Sequence, residues 1–299
     1  MTDILPLRVA MAGLLAVILF SGSAVATKIA VTALPVVDVT VLRCLVAALA
    51  AAPLALGLRL KLPRGRQWLY LLLSSFGGFG LAPLFYGYGL ALTSAVHGAM
   101  ILAVSPIVTG LMAFGWERKL PTRRWWIGCV VAFSGEMILV FFRTDTGEAS
   151  VAGDLIALFS TVLAAAGYVF GGRLTMSGYP AKSTAYWGCV MAGICMIPFG
   201  LVSLPGLDWG AISPGSWGAI AYLAIGATVV GYSIWYWALS HGGIERMSMF
   251  QFIQPLFSLV GATLLLGESI HIEVGIAALL VFAGVWMATR APALRVAAR

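Results

Sequence analysis

The chain has 299 residues, 61% of them hydrophobic and 10% charged, with a net charge of +7 and a mean hydropathy of +0.99. A soluble domain carries roughly 25% charged residues, so this chain lacks the polar surface to stay in water and reads as an integral membrane protein. Its basic residues are spread over short connections instead of forming a patch, which argues against nucleic acid as a partner.

Apolar runs predict an all-α polytopic protein with ten transmembrane helices, at 7–31, 36–57, 67–91, 95–115, 124–142, 152–173, 183–204, 215–239, 245–266 and 271–289. At the N-terminus, Arg8 followed by an apolar run and Ala24-Val25-Ala26 imitates a cleavable signal peptide. The internal repeat described below argues that this span is retained. It carries Ser21 and Ser23 among small residues. Span 2 carries Arg43 and Cys44; span 3 carries Phe79, Pro83 and Tyr86. Span 4 holds His97, Met100, Ile101, Ser105 and Pro106, and span 5 holds Glu136. Tyr168 is the lone polar aromatic of span 6, inside a GxxxG (Gly167 to Gly171) that would permit close helix packing.

Span 8 has Tyr232, Trp235, Tyr236 and Trp237 packed around the helix, some expected to face lipid and some a cavity. In span 9, Met247, Phe250, Gln251, Gln254 and Ser258 fall at helical spacing and predict one polar, aromatic stripe. Pro255 should deprive the Gln251 carbonyl of its donor. That stripe suits either a cavity wall or helix–helix hydrogen bonding. Pro83, Pro106 and Pro255 are expected hinges, since buried prolines in a membrane bundle bend helices without breaking the fold.

With the N-terminus inside, the cytoplasmic segments carry 15 Lys and Arg and the opposite side only Lys28 and Arg143, with Arg43 inside a span. Such a bias predicts that both termini are cytoplasmic. Internal repetition is also evident. At an offset of 145, Lys28, Pro35, Cys44 and Pro53 match Arg173, Pro180, Cys189 and Pro198. At 149, Trp68, Gly77, Leu90, Pro106 and Gly135 match Trp217, Gly226, Leu239, Pro255 and Gly284. Rare residues recurring in order predict two five-helix units, 1–145 and 146–299. Because five is odd, the second enters the membrane inverted, with a site expected near the midplane between them.

This pattern resembles the drug/metabolite transporter superfamily, specifically its EamA-type exporters. Pro255, Gly267-Glu268 and Gly284 match a family pattern of fourth-span proline, Gly-Glu and fifth-span glycine. The first half has Pro106, Trp116-Glu117 and Gly135, with Trp in place of Gly. The chain looks closest to the YddG-type exporters of aromatic and other neutral amino acids. The resemblance implies an inner-membrane amino-acid exporter with a central cavity lined by spans 1, 3, 4, 6, 8 and 9.

Chemistry other than transport finds little support. No GxxxxGK[ST], HExxH or GxSxG occurs, so neither ATP hydrolysis nor an enzyme centre is predicted, and no cofactor. His97, His241 and His271 share no metal-ligand spacing. Cys44, Cys129, Cys189 and Cys195 lie inside apolar runs without CxxC spacing and read as buried thiols. Arg43 and Glu136 are the charges well inside spans, each roughly 10 Å deep at 1.5 Å per residue. Their repeat mates are Gly188 and Val285. They read either as ion coupling or substrate-charge recognition, or as a mutual salt bridge or snorkelling pair.

The expected substrate site therefore comprises Phe79, Tyr86, His97, Ser105, Tyr168, Tyr232, Trp235, Tyr236, Phe250, Gln251 and Gln254. Rings would receive a side chain, and amides, hydroxyls and kinked-backbone carbonyls a zwitterionic head. The partners implied are small neutral or aromatic amino acids and the lipid bilayer, exchanged by alternating access. Export of hydrophobic cations or other small metabolites, or uncoupled facilitation, is the alternative. The shortage of intramembrane Lys and Arg argues against phosphorylated cargo.

Overall fold

The computed structural model describes residues 5–93, 101–141, 150–258, 260 and 272–290. Among these every regular element is helical. Helix α1 is Leu7–Ala30, α2 Val36–Gly57, α4 Ser105–Glu117, α5 Arg123–Phe141, α6 Val151–Met176, α7 Ala181–Ser203 and α10 Ile272–Thr289. Helix α3 (66–92) and helix α8 (214–242) are each composite. In both, an α-helical start passes through a π-helical stretch, Leu73–Leu81 and Tyr222–Gly231, before returning to α-helix. Helix α9 (244–258) opens with Ile244–Met247 and then tightens into a 3₁₀ run, Ser248–Ile253.

Seven described helices are long and apolar enough to cross a membrane, and two shorter apolar helices, Ile101–Glu117 and Val274–Thr289, accompany them. Their ends follow local chemistry. Pro35 and Pro180 precede α2 and α7, where a missing N–H leaves nothing unpaired. The side chains of Ser150 and Ser213 accept the first free N–H groups of α6 and α8. A single residue, Gly243 at φ +82°, turns α8 into α9, a conformation that a side chain would strain.

The outer surface inverts that of a soluble protein. Leu49, Leu201, Val202 and Leu279 are more than 70% exposed, while the interior is rich in Ala, Gly, Ser and Thr. Hydrocarbon supplies no hydrophobic drive between helices, so small residues that let backbones approach hold the bundle together. The tightest crossings lie between α5 and α10 and between α3 and α6. A Cβ on Gly128 would stand 2.6 Å from the Gly284 carbonyl oxygen, and one on Gly135 2.8 Å from that of Ala277. A Cβ on Gly167 would stand 2.7 Å from the Cα of Gly78. The glycines of the predicted GxxxG thus admit α3, and Gly171 admits the Tyr236 ring and the Ser74 hydroxyl.

The main pairings are α1 with α8, α3 with α6, α2 with α7, α4 with α9 and α5 with α10. Outside the spans, the buried Tyr179 hydroxyl donates to the Lys61 carbonyl at 2.6 Å and ties the α6–α7 turn to the α2–α3 connection. Burial pushes this hydroxyl up to about 12, so it stays a donor at any physiological pH. Cys44, Cys129 and Cys189 are buried and Cys195 half-buried, all free thiols.

Two expectations change here. Pro83 falls opposite Tyr232 at an offset of 149, so a bend made by the proline alone would distort one half only. The structure places a π stretch in both α3 and α8, at positions 149 residues apart, and only the first is followed by a proline. The widening belongs to both helices, and Pro83 merely occupies the first turn after it. Second, the irregularity near Pro106 lies at Val104, where the apolar helical stretch Ile101–Glu117 is interrupted two residues before the proline.

Replacing Gly128 with Ala should lower stability by about 1–3 kcal/mol through overpacking against α10. Gly218→Ala, where a Cβ meets open space, should be neutral or slightly stabilising. Thermal denaturation of both variants in detergent checks the pair.

Candidate functional site

Helix α8 returns to α-helical geometry at Tyr232, and Tyr232, Trp235 and Tyr236 then share one face at i, i+3 and i+4. All three are buried, at 5%, 0% and 0% exposure, so none of them faces lipid. Phe79 of α3 lies 4.0 Å from the Tyr232 ring, centroid to centroid, and 6.3 Å from Tyr236. Tyr168 of α6 lies 6.0 Å from Tyr232 and 5.7 Å from Trp235. Phe20 of α1 completes the cluster, 5.0 Å from Tyr232 and 6.0 Å from Trp235. Four helices thus deliver six rings to one point, packed against each other in tilted, edge-on and stacked contacts. Trp237 points elsewhere and stacks on His241 at 4.4 Å.

Polar groups border this cluster. The Tyr236 hydroxyl and Ser74 share a 2.6 Å hydrogen bond, while the Trp235 indole N–H is buried without an acceptor among the described residues. Arg43 reaches in from α2 and donates from Nε to Thr228 Oγ1 at 2.9 Å. On the side of α4 and α9, Ser105 donates to Gln251 Oε1 at 3.2 Å, and Gln251 Nε2 is buried without a described partner. The irregular backbone is also served by side chains. Cys44 Sγ donates at 3.4 Å to the Phe79 carbonyl, the one that Pro83 leaves without an i+4 donor, and Ser160 donates at 2.7 Å to the Ala82 carbonyl.

Phe79, Tyr168, Tyr232, Trp235 and Tyr236 are therefore gathered, as are Ser105 and Gln251. Tyr86 lies two turns further along α3 and is half-buried. His97 lies outside the described residues, and so does His271. Phe20 and Thr228 escaped the sequence reading. A lone aromatic in the small-residue stretch of α1, with Ala165 as its mate at an offset of 145, was the available signal for Phe20.

The predicted stripe on α9 does not survive. In a 3₁₀ run residues three apart eclipse, and Ser248–Ile253 is buried on all sides. Met247 and Phe250 turn to Gly13 of α1, Gln251 turns to α4, and Ser258 donates to the Ser21 carbonyl at 2.9 Å. Gln254 is half-buried. Nor is the Gln251 carbonyl left free by Pro255, because the 3₁₀ turn supplies the Gln254 N–H instead. The salt bridge weighed for Arg43 and Glu136 is absent. Glu136 is 2% exposed, with Oε1 unpaired among the described residues, and is not bonded to Arg43.

Side-chain bonds also join the helices on either side of the cluster. At the end where α1 begins, Glu117 of α4 pairs with Arg173 of α6 at 2.6 Å and with Lys119. There the Trp125 indole donates to the Glu245 carbonyl at 3.3 Å, and Met247 fills the space beside Gly13 and Gly242. Beside the cluster Tyr222 donates to the mid-helix Leu19 carbonyl at 2.8 Å, and at the opposite end Thr93 donates to Asp154 at 2.6 Å. No His, Cys, Asp and Glu group among the described residues could hold a metal ion.

The family model for the EamA-like transporter family matches this chain twice, over residues 7–141 and 151–290. "Uncharacterized transporter YdeK" of Bacillus subtilis is 28% identical over 86% of this chain and 88% of its own. "Probable amino-acid metabolite efflux pump" of Salmonella typhimurium is 26% identical, covering 73% of this chain and 74% of that one. One crystal structure aligns with a TM-score of 0.78 at 18% identity, over 94% of this chain and 96% of that one, a likeness of fold alone.

Glu117→Gln should cost about 1–3 kcal/mol, less than a fully buried pair because both side chains keep some solvent. A double-mutant cycle with Arg173→Met, read by thermal denaturation in detergent, should show the two changes to be strongly non-additive.

Proposed function

The chain belongs to the EamA-like transporter family and is a multi-pass membrane transporter rather than an enzyme; from that premise we propose that it exports neutral and aromatic amino acids across the bacterial inner membrane. The observation that carries this reading is the convergence of Phe20, Phe79, Tyr168, Tyr232 and Trp235 from α1, α3, α6 and α8 on one buried point bordered by hydroxyls and amides. Such a site offers apolar rings to a side chain and polar groups to a zwitterionic head. The name of the Salmonella relative points to the same cargo class. Within that family, we take the chain to be similar to the YddG-type amino-acid exporters. Tyr86, His97, Phe250 and Gln254 are retained as candidates for contact with cargo once the rings part.

The transport cycle is alternating access between two inverted five-helix repeats, 1–145 and 146–299, making ten spans with both termini cytoplasmic. Four observations support the inversion. The family model matches once in each half. The π stretches of α3 and α8 begin at residues 73 and 222, 149 apart. Under the same mapping the α1–α8 pairing becomes α6–α3, while α2–α7, α4–α9 and α5–α10 map onto themselves. The Gly128–Gly284 crossing likewise becomes the Gly135–Ala277 crossing. Rigid movement of one repeat against the other would part the rings on one side and then the other, with Pro83, Pro106 and Pro255 next to the irregular segments that move.

Counterflow in proteoliposomes tests the cargo. Radiolabelled Phe, Met or Thr should show saturable, competitor-sensitive flux, and Trp235→Ala should reduce it at least about tenfold. Flux of hydrophobic cations or dyes alone would overturn the proposal in favour of the alternative. A reporter fused to the C-terminus should be active only in its cytoplasmic form; activity on the far side would refute the topology.

A further inference from the structure

The transport reading leaves one charge unused. Arg43 sits about two turns into α2, at a depth where an ionised side chain is expensive unless it is paired or functional. It forms no ion pair among the described residues, and neither Asp38 on its own helix nor Glu136 on α5 is bonded to it. Its recorded hydrogen bond runs from Nε to Thr228 Oγ1. Both Nη atoms, the end of the guanidinium that grips a carboxylate with two parallel bonds, have no acceptor among the described residues. Its electrostatic neighbours are Tyr168, Tyr232, Cys44 and Cys189, hydroxyls and thiols but no carboxylate.

The arrangement is oriented, not incidental. Thr228 has one hydroxyl proton and gives it to the Leu223 carbonyl at 2.7 Å, five residues back in the π stretch of α8. Its oxygen can therefore only accept from Arg43, which holds the guanidinium by its Nε edge and leaves the two Nη atoms out of that bond. The two-fold relation between the halves sharpens this. Arg43 maps to Gly188 at an offset of 145, and Thr228 maps to Phe79 at 149. The image of the Arg43–Thr228 contact is thus Gly188 against Phe79, and a Cβ on Gly188 would lie 3.3 Å from the Phe79 ring. One half places a cation at this crossing and the other an aromatic ring. The scaffold needs neither, whereas a ligand with an anionic head and an apolar body needs both.

We propose that Arg43, oriented by Thr228, is the carboxylate-binding residue of the transport site, with the substrate's side chain lying against the rings of Phe79, Tyr232 and Trp235. This rests on the amino-acid transport reading and narrows it to cargo with a free carboxylate; esters, amides and amines of the same side chain should be poor ligands.

The test uses purified full-length protein, with thermal-shift binding in detergent and competition of labelled L-phenylalanine counterflow in proteoliposomes. The probes are L-phenylalanine, 3-phenylpropionate, L-phenylalaninamide and inorganic phosphate. The wild type should bind the first two and discriminate against the amide and against phosphate, which lacks a ring. Arg43→Gln should weaken binding of L-phenylalanine and 3-phenylpropionate on the order of ten- to a hundredfold, and Arg43→Lys less. Thr228→Val, which keeps the charge but frees its orientation, should cost several-fold and decides the matter if Arg43→Gln does not fold. Equal binding of the amide and the amino acid, equal competition by phosphate, or unchanged carboxylate affinity in Arg43→Gln or, failing that, in Thr228→Val would overturn the proposal. If labelled L-phenylalanine is not transported by the wild type, the transport reading fails; if it is transported and these substitutions leave it unchanged, only the role of Arg43 fails.

Discussion

A helix in hydrocarbon must satisfy its own backbone, and the whole arrangement follows from that constraint. The irregular segments, π in α3 and α8 and 3₁₀ in α9, loosen the regular hydrogen-bond ladder. They are tolerated because they are enclosed by protein and because Cys44, Ser160 and Thr228 bond carbonyls within or beside them. The enclosing helices can come close enough only because glycine and alanine line their crossings. Irregular backbone, small-residue packing and a central site are thus one requirement met at three levels.

Much of this was legible in the chain. Apolar runs placed the helices within a few residues, because a bilayer fixes their length. Ordered matches of Pro, Cys and Trp are informative because these residues are rare, and the family model likewise matches two stretches of the chain. Tyr232, Trp235 and Tyr236 could be singled out by type, but not assigned a face. That depends on the π stretch before them, and no residue pattern announces it: Leu73–Leu81 is rich in Gly and Ser, whereas Tyr222–Gly231 is largely aliphatic.

The α9 stripe failed for a related reason. Spacing arguments assume 3.6 residues per turn, and a 3₁₀ run divides the same residues between α1 and α4. Phe20 went unnoticed because an aromatic in an apolar helix is ordinary by composition and becomes notable only once Tyr232 and Trp235 are beside it. The Arg43–Thr228 bond joins residues 185 apart, a distance over which only the fold can pair them.

The 3₁₀ run of α9 holds a mechanical property of its own. Six residues rise about 2.0 Å each in this form and about 1.5 Å each as α-helix. Conversion of Ser248–Ile253 to α-helix would therefore shorten α9 by about 3 Å and unwind it by about 120°. Met247, at one end of the run, would swing away from Gly13, while Pro255 at the other end would hold its own turn. Such a conversion would act like a captive screw, turning a change of pitch inside the bundle into withdrawal of Met247 from beside Gly13.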